Sequence, residues 1–300
     1  MSKKLIRFDW AMKKLLRHKA NFGILEGFLS ELLLFDVTIE NILESEGNKE
    51  DQYDKYNRVD ILVKSTEGEL MLVEVQNDSE IDYFHRMLYG VSKLVTEYIK
   101  EGQPYGTIRK VYAINVVYFG LGQGKDYLYT SKNEFVGTHQ GDILKPTIIQ
   151  KSDYLVEKVS DIFPKYYILK VNNFDDVAKN TLDEWIYFLK NSEVKEGFKA
   201  KGLDEAKEKL RYESLSEVEK KRYVRFQEDL RIEKSVKYTA IAEAKMEGRL
   251  EGKKEGRLEG KLERDIEVAR NAIKEGLDNQ IIAKLTELTL EEIEKLQKDE

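Results

Sequence analysis

The 300-residue chain contains no cysteine, three prolines and three histidines. The absence of cysteine excludes disulfides, thiolate nucleophiles and cysteine-based zinc sites. The histidines, His18, His85 and His139, lack the spacing of a zinc motif, so we expect none of them to bind metal. A metal site in this chain would therefore consist of oxygen ligands.

Long apolar runs are also missing. No stretch approaches the roughly 20 apolar residues that a membrane-spanning helix needs. The first residues carry lysine and arginine but lack the apolar stretch and small-residue cleavage site of a signal peptide. These absences predict a cytoplasmic protein without a membrane partner.

Charge is abundant but unevenly distributed along the chain. Charged residues make up 35% of the sequence and the net charge is −6. Residues 1–20 hold seven lysines or arginines against one acid, whereas residues 21–60 hold three basic residues against ten acids. The first segment could therefore contact phosphate, and the second could collect cations.

Apolar spacing in the first 190 residues alternates between helical and strand patterns. A turn with Gly68 separates two apolar strands and predicts a β-hairpin. The predicted helices are 8–18, 22–35 and 81–100, and the predicted strands are 37–42, 59–64, 70–76, 111–119, 127–129 and 154–156. This order predicts an α/β fold with a mixed central sheet flanked by helices.

From Leu182 onward strand patterns cease, and an all-helical region is predicted. Residues 247–262 repeat a Glu-Gly-Lys/Arg tetrad, which is typical of a solvated helical linker or of helices that pair closely along their glycines. Two short helices at the C-terminus resemble a helix-turn-helix, but the last helix is acidic, which favours packing or oligomerisation over reading a DNA groove. The predicted divisions are 1–190, 191–264 and 265–300.

The hairpin brings two acids together. With residues 66–68 as the loop, antiparallel pairing places Asp60 directly opposite Glu74, and Gln76 lies on the same face as Glu74. Opposed side chains on neighbouring strands have Cβ atoms about 5 Å apart, so two carboxylates repel unless a cation lies between them. Mg²⁺ would satisfy both, with the backbone carbonyl of Val75 as a further ligand, and could activate water against a phosphodiester.

A simpler interpretation is a hairpin with its polar face in solvent, where Asp60, Glu74 and Gln76 are ordinary surface residues. The neighbouring sequence argues against it. Leu62 and Leu72 flank the acids with apolar side chains, and acids placed among apolar residues in a central sheet require a reason.

These residues carry a resemblance to a known family. The chain resembles the PD-(D/E)XK nuclease family transposases, also called recombination-promoting nucleases, in the helical segment 8–16, in Asp60 with Glu74-Val75-Gln76, and in the segment 83–90. The resemblance covers about the first 190 residues, and the repeat with the terminal helices resembles the usual tail of that family. It implies a restriction-endonuclease-like core, a divalent metal ion such as Mg²⁺ or Mn²⁺, and cleavage of double-stranded DNA in recombination or mobile elements.

By this resemblance Asp60 and Glu74 are the metal ligands. Gln76 stands where many members of the wider superfamily have lysine, and it could orient water or a phosphate oxygen without supplying charge. Arg86, on the helix after the hairpin, is the expected cation, with a surface salt bridge as the alternative. Upstream, Glu26 or Glu31 could be a further acid, and Glu26 is preferred as a metal ligand.

The favoured hypothesis is an Mg²⁺-dependent DNA endonuclease in which Arg86 and the basic N-terminus hold the DNA backbone. The competing hypothesis is a non-catalytic protein that keeps the fold, binds DNA and oligomerises through its helical tail. An RNA nuclease is a third hypothesis, because phosphate contacts alone do not distinguish the two polymers. A homodimer through the tail is compatible with each.

Overall fold

The computed structural model describes residues 5–14, 16, 18–43, 61–98, 103–154 and 156–298. The chain divides into two compact units, Met1–Tyr223 and Val224–Glu300. In the described residues, every helix is too short or too polar to cross a lipid bilayer.

A mixed six-stranded sheet forms the centre of the first unit in the described residues. The strands are β1 (Ile39–Leu43), β2 (Ile61–Ser65), β3 (Leu70–Gln76), β4 (Val111–Val117), β5 (Leu128–Thr130) and β6 (Lys165–Lys170). They lie in the order β1-β2-β3-β4-β6-β5, with β3, β4 and β6 parallel and the outer pairs antiparallel. The predicted α/β class with a mixed sheet is confirmed.

Helices flank this sheet and form the whole of the second unit in the described residues. In the first unit they are α1 (Phe8–Lys14), α2 (Phe22–Leu33), α3 (Tyr83–Tyr98), α4 (Ile148–Tyr154), α5 (Thr181–Asn191) and α6 (Leu203–Lys209). The helix α7 (Glu217–Lys274) continues from the first unit into the second, where α8 (Asn279–Thr286) and α9 (Leu290–Lys298) follow.

The hairpin of β2 and β3 has the predicted register. Ile61 pairs with Val73 and Lys64 with Leu70, and the turn between the strands contains Gly68 at φ +84°. Glycine is suited to this left-handed conformation because it has no Cβ. Asp60, the residue before β2, lies outside the described residues.

Both faces of the hairpin are buried. On the face that carries Leu62 and Leu72, the side chains of Val91 and Leu94 from α3 complete an apolar cluster. The opposite face is buried as well, since Val73 has no exposed surface. In the described residues the polar face is therefore not solvated, because the apolar side chains of α3 cover the face that carries Leu62, Leu72 and Glu74.

Aromatic side chains join α1, α2 and α5. Phe8 lies 5.7 Å from Phe28 and 6.0 Å from Phe188 between ring centroids, and Phe28 lies 5.5 Å from Trp185. These rings are fully buried. Such pairs contribute roughly 0.5–1.5 kcal/mol each beyond the area they bury. The N-terminal helices are thus held to a helix more than 150 residues later in the sequence.

Two sequence predictions at the level of elements were wrong. The strand expected at 154–156 is absent from the described residues there: Tyr154 ends the helix α4, and the sheet instead takes Lys165–Lys170 as β6. The helix predicted over 8–18 is Phe8–Lys14 in the structure, and Leu16 and His18 are not helical. The reason for the strand error is tertiary, because β6 is selected by parallel pairing with β4, which local spacing does not reveal.

The helical C-terminal region is confirmed. The tetrad repeat lies inside α7. In the described part of the chain, nothing apart from the neighbouring residues and the helix backbone lies within 4 Å of where a Cβ of its glycines would be. Capping boxes begin α7 at Ser216 and α9 at Thr289, where each serine or threonine exchanges hydrogen bonds with a glutamate three residues later. Beyond the repeat, the end of α7 shares a small buried core with α8 and α9 around Ile282 and Ile293.

Candidate active site

Glu74 is a buried carboxylate on a central strand. Glu74 is 5% exposed, and its strand β3 is hydrogen-bonded to β2 on one side and to β4 on the other. In register beside it on β4 is Asn115, whose side chain donates to two backbone carbonyls and accepts from the Tyr83 hydroxyl of α3. Because side chains alternate along a strand, Gln76 lies on the same face as Glu74.

Arg86 reaches this face from α3. Its Nε lies 3.9 Å from Oε2 of Glu74, and its Nη1 donates to Oε1 of Glu80 at 2.8 Å. The same Glu80 oxygen accepts from Nε2 of Gln76, also at 2.8 Å. Helix α3 thus brings one guanidinium, and the loop before it one additional carboxylate, to the end of β3.

The electrostatics of Arg86 reflect these neighbours. Burial disfavours the charged guanidinium, but the negative charges of Glu74 and Glu80 together outweigh burial, so the pKa of Arg86 is raised. Arg86 therefore remains a fixed positive charge beside Glu74.

A second polar network holds the chain immediately after Gln76. Asp9 of α1, only 1% exposed, accepts from Nε and Nη2 of Arg7, from Nδ2 of Asn77 and from the backbone of Trp10. Arg7 also donates to the side-chain oxygen of Asn77 and lies over the ring of Tyr118. Although burial opposes its charge, the hydrogen bond and charge of Asp9 raise the pKa of Arg7. The start of α1 is therefore joined to the end of β3.

The comparison with protein families agrees with this arrangement. The family model of the PD-(D/E)XK nuclease family transposase matches residues 6–240. The chain belongs to this family. The mixed sheet with flanking helices and a long helical C-terminal region is consistent with the restriction-endonuclease-like fold of PD-(D/E)XK proteins. No curated protein and no solved structure is significantly similar to the chain.

Glu26 and Glu31, the alternatives for the upstream acid, both have contacts away from Glu74. Glu26 of α2 accepts through Oε1 from the backbone nitrogen of Ile39 at 2.8 Å, at the first residue of β1. Glu31 accepts from the hydroxyl of Thr181 and from the backbone nitrogen of Lys201. Both carboxylates thus tie α2 to later segments, and the assignment of Glu26 as a metal ligand stays a prediction.

PD-(D/E)XK nucleases typically use divalent metal ions. Asp60, the second predicted carboxylate ligand, lies outside the described residues; within them, no cluster of three or more potential ligands among Asp, Glu and His is found. The donor chemistry nevertheless fits a hard cation, because Glu74 supplies a buried carboxylate and no thiol is present. With Asp60 and the carbonyl of Val75, it would form an oxygen-only ligand set.

Sequence reasoning missed Asp9, Asn77 and Glu80. For Asp9 a signal existed, because an acid between Phe8 and Trp10 in an amphipathic helix must be paired if it is buried. For Glu80 there was little signal, since it lies in a short polar segment that reads as an ordinary loop. Arg7 was expected to contact DNA as part of the basic N-terminus, but its guanidinium is held by Asp9 and Asn77.

Proposed function

We propose that this chain is an Mg²⁺- or Mn²⁺-dependent DNA endonuclease that acts in recombination or in mobile elements. The observation that carries the proposal is the buried carboxylate of Glu74 on a central strand, with Gln76 on the same face and Arg86 3.9 Å away, in a member of a nuclease family. A carboxylate in this position requires a compensating charge.

In the proposed site, Asp60, Glu74 and the carbonyl of Val75 hold the cation. When bound, a divalent ion supplies an activated water and neutralises charge on the phosphoryl oxygens. Arg86 supplies a positive charge that remains on the protein throughout, because a guanidinium stays protonated at any pH at which DNA is cleaved. Gln76 acts on the attacking water or on the scissile phosphate.

The test is cleavage of supercoiled plasmid by the full chain with Mg²⁺ and with EDTA. Asp60→Asn and Glu74→Gln remove one ligand charge each, and Glu67→Gln removes an exposed acid of the hairpin turn as the matched control. We expect cleavage that requires the metal, falls at least about a hundredfold in the two ligand variants and is unchanged in the control.

Cleavage that survives EDTA or both ligand variants would contradict this site. No cleavage by the wild-type chain of plasmid, single-stranded DNA or RNA, together with retained DNA binding, would favour the non-catalytic DNA-binding hypothesis. Faster cleavage of RNA than of DNA would favour the RNA nuclease hypothesis.

We further propose that two chains associate through α7. The support is a set of apolar side chains that are well exposed along this helix: Ile232, Val236, Ile241, Met246, Leu250, Leu258 and Leu262. Apolar side chains in such a series gain free energy when a partner helix removes them from water. Light scattering of the full chain and of Ile232→Lys/Val236→Lys would show a dimer that dissociates in the variant; a monomeric wild type would refute the pairing.

A further inference from the structure

Glu80 joins two residues of the candidate site through one oxygen atom. Its Oε1 accepts from Nε2 of Gln76 and from Nη1 of Arg86, each at 2.8 Å. Gln76 is the last residue of β3, and Arg86 lies in the first turn of α3. Glu80 therefore connects the strand of the site to the helix that carries its cation.

We propose that Glu80 is a positioning residue that sets the orientation of the Gln76 amide, so that Gln76 accepts a hydrogen bond from the attacking water and does not donate to phosphate. The proposal rests on the proposed endonuclease function. It assigns a role to Glu80, and it decides between the two roles left open for Gln76.

The orientation follows from hydrogen-bond chemistry. Carboxylate oxygens accept hydrogen bonds and an amide donates through its NH₂, so the group of Gln76 that faces Glu80 is its NH₂. The amide oxygen then points to the other side of the amide. Within the described part of the chain, no donor bonds to this oxygen. It is the acceptor that a water molecule on the face of Glu74 could use.

Glu80 also restrains Arg86. With Nη1 held by Glu80, Nε of Arg86 stays 3.9 Å from Glu74, beyond hydrogen-bond distance. Its positive charge can therefore act on Glu74 without a direct hydrogen bond between them in this arrangement. Loss of Glu80 would release both the amide of Gln76 and the guanidinium of Arg86.

An exchange of the two side chains tests the orientation. Gln76→Glu alone places two carboxylates at hydrogen-bond distance, so we expect a loss of plasmid cleavage of about a hundredfold. The double variant Gln76→Glu/Glu80→Gln restores one donor and one acceptor and leaves an acceptor oxygen on residue 76. We expect it to recover at least tenfold over Gln76→Glu. No recovery would overturn the proposal, because a residue 76 that must donate to phosphate cannot be replaced by a carboxylate.

Glu80→Ala separates positioning from general stability. We expect kcat to fall about ten- to a hundredfold with KM little changed, because the water loses its oriented acceptor while DNA binding remains. In a Gln76→Ala background the same change should lower kcat clearly less, because only the release of Arg86 then remains. Equal effects in both backgrounds would refute action through Gln76. Asp82→Asn removes an exposed acid two residues away and is the matched control.

A spectroscopic measurement tests the contact without any activity. In protein labelled with ¹⁵N at glutamine side chains, the NH₂ signal of Gln76 is identified by its loss in Gln76→Ala. We expect it to shift in Glu80→Ala and to stay in place in Asp82→Asn. An unchanged signal in Glu80→Ala would refute the contact. Absence of cleavage by the wild type would instead refute the endonuclease function, whatever this spectrum shows.

Discussion

Replacement of Asp9 by alanine should destabilise the first unit strongly. Asp9 is 1% exposed and accepts hydrogen bonds from Arg7, Asn77 and the backbone of Trp10. Without it, the half-buried guanidinium of Arg7 loses its counter-charge. Removal of one partner of a buried ion pair typically costs about 3–5 kcal/mol. Because the Arg7 side chain is 29% exposed and can turn partly to water, we expect a loss of about 3 kcal/mol in the free energy of unfolding.

Tryptophan fluorescence measures this loss in the unit concerned. The chain has two tryptophans, and both Trp10 and Trp185 are buried in the first unit. Urea unfolding followed at these residues therefore reports the first unit without a direct signal from the second. Domains of this kind are typically stable by about 5–15 kcal/mol, so a loss of about 3 kcal/mol is measurable.

Two further variants test whether the lost counter-charge of Arg7 causes the destabilisation. Asp9→Asn keeps the shape and one acceptor oxygen, so it should be less destabilising than Asp9→Ala. Arg7→Ala/Asp9→Ala leaves no uncompensated charge, so it should be at least about 1 kcal/mol more stable than the sum of the two single losses predicts. A loss below about 1 kcal/mol in Asp9→Ala, or strict additivity in the double variant, would refute the reasoning.

Three other outcomes are expected. Gly27→Ala should cost about 1–3 kcal/mol in urea unfolding, because its Cβ would lie 2.2 Å from the carbonyl oxygen of Lys201; a neutral change would contradict the close approach. Gly252→Ala should stabilise α7 by up to about 1 kcal/mol in thermal melting followed by circular dichroism, since open space surrounds this glycine; destabilisation would indicate close pairing there. Hydrogen bonds from the side chain and backbone of Ser216 lower the pKa of Glu219 in the folded protein below its ordinary 4.5. The stabilisation from the Ser216–Glu219 cap is therefore present above pH 4.5 and is lost as the pH falls through the folded pKa. Ser216→Ala should therefore reduce the free energy of unfolding at neutral pH and have a smaller effect in acid. A loss of stability that does not change with pH would refute this role of the Ser216–Glu219 cap.

Local pattern was sufficient for much of the fold. Alternation and a glycine turn predicted the β2–β3 hairpin and its register, because side-chain period and loop length determine pairing between adjacent strands. Helical spacing predicted α2 and α3, and capping boxes marked the starts of α7 and α9. The same register places Glu74 and Gln76 on one face without reference to any tertiary contact.

The sequence by itself determined the α/β class, the hairpin with Glu74 and Gln76 on one face and the helical C-terminal region, because each depends on residues close together in the chain. Tertiary structure alone decided that β6 joins β4, that Asp9 reaches Asn77 and that Glu80 connects Gln76 with Arg86. Pairing of distant strands, and contacts across the loop after β3, depend on how whole elements pack. Spacing along the chain carries no measure of that packing, so these parts of the candidate site became visible only in the folded protein.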